Sequence, residues 1–203
     1  MNRKLSFPRL VATLGIAALA TSVALAESNP EADEGSEPAA TNAAPKANHC
    51  VAELAPVAQG AKASAMGKIS CYASFSAAMA AATANSVTLP SDASARSVTD
   101  ADLASATRWV IGIDYDGIGY SGASFTWYAG YGYYGCNGGL SYVANMPYFL
   151  DNRLSSTKGF TGCHRNTSYD GLWQTGDWVR CFSNCVYVGG FMNNRASSKR
   201  WTQ

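Results

Sequence analysis

Charge is scarce in this chain. Lys, Arg, Asp and Glu make up 14% of the 203 residues, against about 25% in an average globular protein. The 15 bases and 14 acids nearly cancel, so the composition holds no basic field of the kind that retains nucleic acid. Histidine is scarcer still, with only His49 and His164, which leaves little for a proton-relay or histidine–metal centre. The acids are scattered, and no two stand in a general acid/base pattern. No glycine-rich phosphate loop ending in lysine is present. Gly119-Tyr120-Ser121-Gly122-Ala123 lacks the last glycine of a nucleophile elbow. Together these gaps argue against an enzyme. After the first 26 residues, no apolar run is long enough to cross a bilayer.

The N-terminus does carry a short apolar run. Arg3, Lys4 and Arg9 form a positive region, Leu10 to Ala20 an apolar one, and Ala24-Leu25-Ala26 a small-x-small signal. This pattern predicts a secretory signal peptide over residues 1–26, cleaved after Ala26. Its removal leaves 12 bases and 14 acids, a net charge of −2. Residues 27–47 carry Glu27, Glu31, Asp33, Glu34 and Glu37 and no large apolar side chain. Such a segment cannot offset its ordering entropy by burial and reads as an acidic linker.

All six cysteines lie beyond the leader: Cys50, Cys71, Cys136, Cys163, Cys181 and Cys185. An even count beyond a signal peptide predicts three disulfides in an extracellular protein, with 15 pairings open. Cys181-x3-Cys185 could be half a zinc site, but no second close pair with histidines accompanies it. The 19 glycines and 11 tyrosines suit short strands and tight turns.

Residues 48–107 form a small, alanine-rich α+β extension. Cys50–Leu54 and Lys68–Tyr72 read as short strands. Ser74 to Ala84 reads as a helix, with Ser74 as cap and Phe75, Ala78, Met79 and Ala82 at helical spacing. Thr99 to Leu103 reads as a further helical turn. The segment has few large apolar residues, so it should pack on the C-terminal domain rather than fold alone. Residues 108–203 read as β-structure. Ser124-Phe125-Thr126-Trp127-Tyr128 alternates polar and aromatic residues, and Trp178 to Phe182 is a second apolar strand. Asn166-Thr167-Ser168 has the form of a glycosylation sequon and reads as an ordinary loop.

One phrase occurs twice. Asp151-Asn152-Arg153-Leu154-Ser155-Ser156 and Asn193-Asn194-Arg195-Ala196-Ser197-Ser198 share the form Asp/Asn-Asn-Arg-x-Ser-Ser at an interval of 42 residues. Upstream, Tyr115…Tyr120-Ser121-Gly122 and His164…Tyr169-Asp170-Gly171 share an aromatic-type residue, four others, Tyr, one residue and Gly, at an interval of 49. Repeats at such spacing indicate two copies of one supersecondary unit. On these motifs the region resembles the βγ-crystallin Greek-key family. The resemblance implies an all-β fold, in which two Greek-key motifs, residues 108–158 and 159–203, pack face to face as a sandwich. The layout then favours Cys50–Cys71, Cys136–Cys163 and Cys181–Cys185 as the disulfides.

The resemblance also implies calcium as a ligand, because a loop ending in Ser-Ser can offer hard oxygen donors. In the family each site is completed by the corner hairpin of the other unit. Carried over, the Arg195 carbonyl and Ser197 hydroxyl face Asp116 in a better site. The Arg153 carbonyl and Ser155 hydroxyl face Arg165, which should repel the ion, in a weak or lost one. The expected function is a secreted, non-enzymatic, monomeric calcium-binding protein. The alternative is an inhibitor of an extracellular proteinase, since bacterial secreted metalloproteinase inhibitors resemble the chain in fold, size, leader and disulfides. The loops at Gly130–Gly139 and Cys181–Cys185 would then be the contact candidates. Neither reading involves nucleic acid or a membrane.

Overall fold

The computed structural model describes residues 48–203. The expected signal peptide and acidic linker, residues 1–47, lie outside the described residues. The elements in chain order are β1 (His49–Leu54), β2 (Ser70–Tyr72), α1 (Phe75–Ala82), β3 (Val110–Gly117), β4 (Ser121–Ala129), β5 (Tyr142–Asn145), β6 (Ser156–Gly159), β7 (Arg165–Tyr169), β8 (Trp178–Phe182), β9 (Asn184–Cys185) and β10 (Ser198–Thr202). The protein is thus mostly β, with one α-helix among the described residues. The stretch Asn166-Thr167-Ser168, expected as a loop, lies inside β7, with all three residues buried. Its alternation decides this: Asn166 and Ser168 face the core, and Thr167 faces the other way.

The strands form two sheets. One has six strands in the order β2-β1-β4-β3-β6-β9, the other four in the order β5-β10-β7-β8. Two copies of a four-strand pattern are visible in this order. β3, β4 and β6 lie in the larger sheet, while β5, the third strand of that run, crosses to the smaller one. Likewise β7, β8 and β10 lie in the smaller sheet, and β9 crosses to the larger. Between them lies a core that includes Ile111, Phe125, Trp127, Tyr142, Leu154, Met192 and Trp201. Exchange of one strand each way makes neither copy complete without the other.

A fully buried ion pair links the sheets. Asp114 on β3 and Lys199 on β10 are both without solvent exposure, with Nζ 2.6 Å from Oδ1. Thr157 Oγ1 donates to the same Oδ1 at 2.6 Å, and the Trp127 indole N–H donates to Oδ2 at 2.7 Å. Lys199 Nζ and Asn166 Nδ2 both donate to Thr157 Oγ1. The Lys199 ammonium also lies 5.4 Å from the Trp201 ring centroid, within cation–π reach. Burial pushes the Lys199 pKa down, and Asp114 opposes that shift. Such a pair is tolerable because both carboxylate oxygens are engaged, Oδ1 by Lys199 and Thr157 and Oδ2 by Trp127.

The alanine-rich segment is part of this architecture. β1 runs parallel to β4, His49 opposite Ser124 and Leu54 opposite Ala129. β2 pairs antiparallel with β1 and sets Cys50 opposite Cys71. The helix starts at Ser74, whose hydroxyl accepts from the Ala77 N–H, and Phe75, Ala78, Met79 and Ala82 are its buried residues. Thr99 to Leu103 is a hydrogen-bonded turn rather than helix: the Asp102 carboxylate accepts from both the Thr99 N–H and its hydroxyl. Phe75, Met79, Val87, Val98 and Leu103 pack on Val110, Ile113 and Tyr115 of β3. Polar anchors add to this cover. Lys158 Nζ donates to the Arg96 and Val98 carbonyls, and the Tyr115 hydroxyl to the Ala95 carbonyl. All the described residues accordingly belong to one compact unit.

His49 anchors the start of the cover through a 2.8 Å contact between Nδ1 and Ser124 Oγ. Burial lowers its pKa from the ordinary 6.5. The neutral ring is therefore favoured in the fold, and its contribution is lost as pH falls below the unfolded value of about 6.5. Urea midpoints are expected to drop between pH 7 and pH 5, and His49→Gln is expected to flatten that slope. An unchanged slope in the variant would exclude His49 as its cause.

The three disulfides are Cys50–Cys71, Cys136–Cys163 and Cys181–Cys185, and no cysteine is free among the described residues. Full pairing indicates an oxidising, extracellular-type environment. No helix among the described residues is long and apolar enough to cross a membrane.

Candidate functional site

The two Asn-Arg-x-Ser-Ser loops lie side by side and clasp each other. The Asn152 N–H donates to the Ala196 carbonyl at 3.0 Å, and the Asn194 N–H donates to the Leu154 carbonyl at 2.9 Å. Asn152 and Asn194 both adopt left-handed backbone, at φ 57° and 59°. Asparagine tolerates that conformation better than other side-chain-bearing residues, which accounts for its place at the second position of both copies.

Each loop folds over the corner hairpin of its own unit. In the first, Asp116 Oδ2 accepts from Arg153 Nη2 at 2.9 Å, and Oδ1 accepts from the Ala123 N–H at 2.7 Å. Ser155 Oγ donates to the Asp116 carbonyl, and Ser156 Oγ to the Gly117 carbonyl. In the second, Asp170 Oδ2 accepts from Arg195 Nη2 at 2.7 Å, and Oδ1 accepts from the Asp177 N–H at 2.8 Å. Ser198 Oγ donates to the Gly171 carbonyl. The Ser155 N–H reaches the Tyr115 carbonyl, and the Ser197 N–H reaches the Tyr169 carbonyl. Gly122 and Gly176 match as well. Both have positive φ, and a Cβ on either would strike the Asp116 or Asp170 carboxylate; only glycine leaves room for the Oδ1 contact.

This geometry regroups the residues expected from the sequence. Asp116 stands beside Arg153 and Ser155 of the first loop and is ion-paired to the former, whereas Arg195 and Ser197 stand beside Asp170. Arg165 is not at the loops' acid position. It opens β7, opposite Phe182 and Thr202. His164 sits before that strand, its Nδ1 3.1 Å from Ser183 Oγ. The matched corners are therefore Tyr115-Asp116-Gly117 and Tyr169-Asp170-Gly171, 54 residues apart. The reason for the shift is local. Alignment on Tyr-x-Gly places Tyr120 against Tyr169, but Tyr120 is in the turn and Tyr169 is in a strand. The repeated triplet Tyr-Asp-Gly, followed four residues later by Ser-Gly or Thr-Gly, is the sequence signal that identifies the true register.

Among the described residues no group of three His, Cys, Asp or Glu side chains could hold a metal ion by itself. The loops offer mostly neutral oxygens, with the Asp151 carboxylate as the one acid within them. Ser155 Oγ lies 3.5 Å from Asn194 Oδ1 across the clasp. Asp151 Oδ1 and Asn193 Oδ1, the first residues of the two loops, are shielded from solvent and receive no hydrogen bond. A buried oxygen without a donor is costly, and it recurs here at equivalent positions. Carbonyl, hydroxyl and carboxamide oxygens are the donors calcium takes, so the residues present fit that ion. The Arg153 and Arg195 guanidiniums already hold the nearby carboxylates and would compete with it.

The two other sequence-nominated loops are anchored differently. Cys136 ties the Gly130–Gly139 loop to Cys163, while Tyr131 and Tyr134 on it are exposed. Cys181–Cys185 closes the short turn from β8 to β9. No protein-family model matches this chain, no curated protein matches it, and no solved structure matches it.

Proposed function

We propose that this is a secreted, non-enzymatic protein of the βγ-crystallin-like Greek-key type that binds calcium at its clasped loops. The exchange of β5 and β9 between the sheets supports the Greek-key reading, because each unit then runs as four antiparallel strands with the third passed across. The observation that carries the calcium reading is the pair of buried, donorless oxygens at Asp151 and Asn193. A cation bound at each loop would satisfy its oxygen, with the Arg153 carbonyl and Ser155 hydroxyl as further donors in the first and the Arg195 carbonyl and Ser197 hydroxyl in the second. Since each corner has an acid, two sites of similar strength are expected instead of one strong and one lost. With few formal charges and competing arginines, affinity belongs in the range of about 10⁻⁴–10⁻³ M.

Calorimetric titration of the mature protein with calcium tests this. Two sites are expected, with Ser155→Ala and Ser197→Ala each weakening one of them by about tenfold. No heat and no calcium-dependent rise in melting temperature would remove calcium from the assignment. Inhibition of a thermolysin-like or serine proteinase by the same protein, undiminished by those substitutions, would instead favour the inhibitor reading.

A further inference from the structure

The smaller sheet turns one face to the core and the other outward. Inward go Asn166 and Ser168 of β7, Cys181 of β8, and Lys199 and Trp201 of β10. By strand alternation the outward positions are Arg165, Thr167 and Tyr169, then Trp178, Arg180 and Phe182, then Ser198, Arg200 and Thr202; Ser198 is covered by Gln174, and Thr167 lies buried beneath Arg180. The register places Arg180 and Arg200 on either side of Thr167. At about 4.8 Å per strand, the two arginine backbones lie about 10 Å apart, and Arg165 is two residues along β7. Trp178 and Phe182 complete the pattern on β8, at 55% and 71% exposure. Arg180 also lies over the Trp178 ring, 5.2 Å from its centroid. The arginines, Thr167 and Tyr169 line an open depression of about 380 Å³.

This face lacks what normally accompanies arginine. Among the described residues the ion pairs are Arg153–Asp116, Arg195–Asp170 and Lys199–Asp114. Among those residues Arg165, Arg180 and Arg200 have no acid partner, and none of the nine outward positions is an acid. Three like charges on one small face repel one another, and an anionic partner would relieve that cost. Exposed aromatic rings beside them point to a partner that also has flat, weakly polar surface to cover. The guanidinium fork matches planar carboxylate and tetrahedral sulfate oxygens.

We propose that the outer face of the four-stranded sheet binds an acidic polysaccharide, in which anionic groups meet Arg165, Arg180 and Arg200 and sugar C–H faces lie on Trp178 and Phe182. The acidic stretch at residues 27–37 offers charge but only Pro30 and Ala32 as apolar groups for two large rings to cover. A nucleic acid offers both, but polyphosphate binding draws on a longer basic field than three arginines on a molecule of near-zero net charge. The oxidising environment indicated by the disulfides is also where acidic glycans are met.

Affinity electrophoresis of the mature protein through gels containing polygalacturonate, neutral dextran or oligothymidylate tests the proposal. Retardation by polygalacturonate alone is expected, weakening with salt. Arg165→Ala/Arg180→Ala is expected to weaken it about tenfold or more. Arg96→Ala/Lys68→Ala, which removes the same charge elsewhere, should change it less than about twofold. Trp178→Ala should weaken it without altering the salt slope. Circular dichroism confirms that each variant is folded. Equal loss in both double variants would reduce the effect to net charge and overturn the site. Equal or stronger retardation by oligothymidylate would overturn the choice of partner. If no polymer retards the protein, but replacing the five acids of residues 27–37 by their amides creates retardation, that acidic stretch is the occupant and the glycan proposal falls.

Discussion

Asp114→Ala is expected to cost about 3–5 kcal/mol of stability, because it leaves the Lys199 ammonium buried without its counter-charge. Lys199→Ala should cost about as much by stranding the carboxylate. Both groups are without solvent exposure, so neither can turn to water. The double variant Asp114→Leu/Lys199→Met is expected to lose less than either single variant, since a buried pair repays its own desolvation poorly and apolar groups of similar size often replace it without loss. Urea unfolding with the disulfides intact reads all three. Single variants within about 1 kcal/mol of the parent would mean that the pair does not hold the sheets together. A double variant less stable than both single ones would assign the network a value beyond charge compensation, through Thr157, Trp127 and Asn166.

The second large effect concerns the disulfides, which should differ in strength. Cys136–Cys163 closes a separation of 27 residues, and Cys181–Cys185 one of only 4. Loop-closure entropy then assigns about 3–4 kcal/mol to the first and about 2 kcal/mol to the second. Cys136→Ser/Cys163→Ser should therefore lower the urea midpoint clearly more than Cys181→Ser/Cys185→Ser. Position reinforces the ranking. Cys136 and Cys163 are fully buried, and their bond joins the Gly130–Gly139 loop to the link between β6 and β7. The reverse order would show that the short turn after β8 matters more to the fold than chain entropy allows.

Much of the local structure was legible. Ser74 and the spacing of Phe75, Ala78, Met79 and Ala82 mark the helix, because capping and a 3.6-residue period are properties of neighbouring residues. The alternation in Ser124–Tyr128 marks β4 for the same reason. The paired loops were visible too, although their corner partners were not. Tyr-x-Gly recurs in two different structural settings, and only the hydrogen bonds from Asp116 and Asp170 distinguish them. The crossing of β5 and β9 between sheets was not legible in those short strands, because strand order is set by contacts between residues far apart in the chain.

Three features have no local signature at all. Asp114 and Lys199 are 85 residues apart, and each alone reads as a surface charge. β1 joins β4 in parallel across 75 residues, so the alanine-rich segment, expected only to pack on the C-terminal domain, also contributes two strands to its larger sheet. Arg165, Arg180 and Arg200 vanish into a net charge near zero, yet strand register sets them around one threonine. By itself the sequence determined a β-rich, three-disulfide protein with a short helix after Ser74 and a duplicated Asn-Arg-x-Ser-Ser loop, while the second helical turn read at Thr99–Leu103 is a hydrogen-bonded turn instead. These features arise from cysteine count, period and turn chemistry, which act between near neighbours. The tertiary structure alone decided which acid meets which loop, which charges are buried together and which face collects unpaired arginines. Those depend on strand register and sheet order, which join residues that the chain keeps far apart.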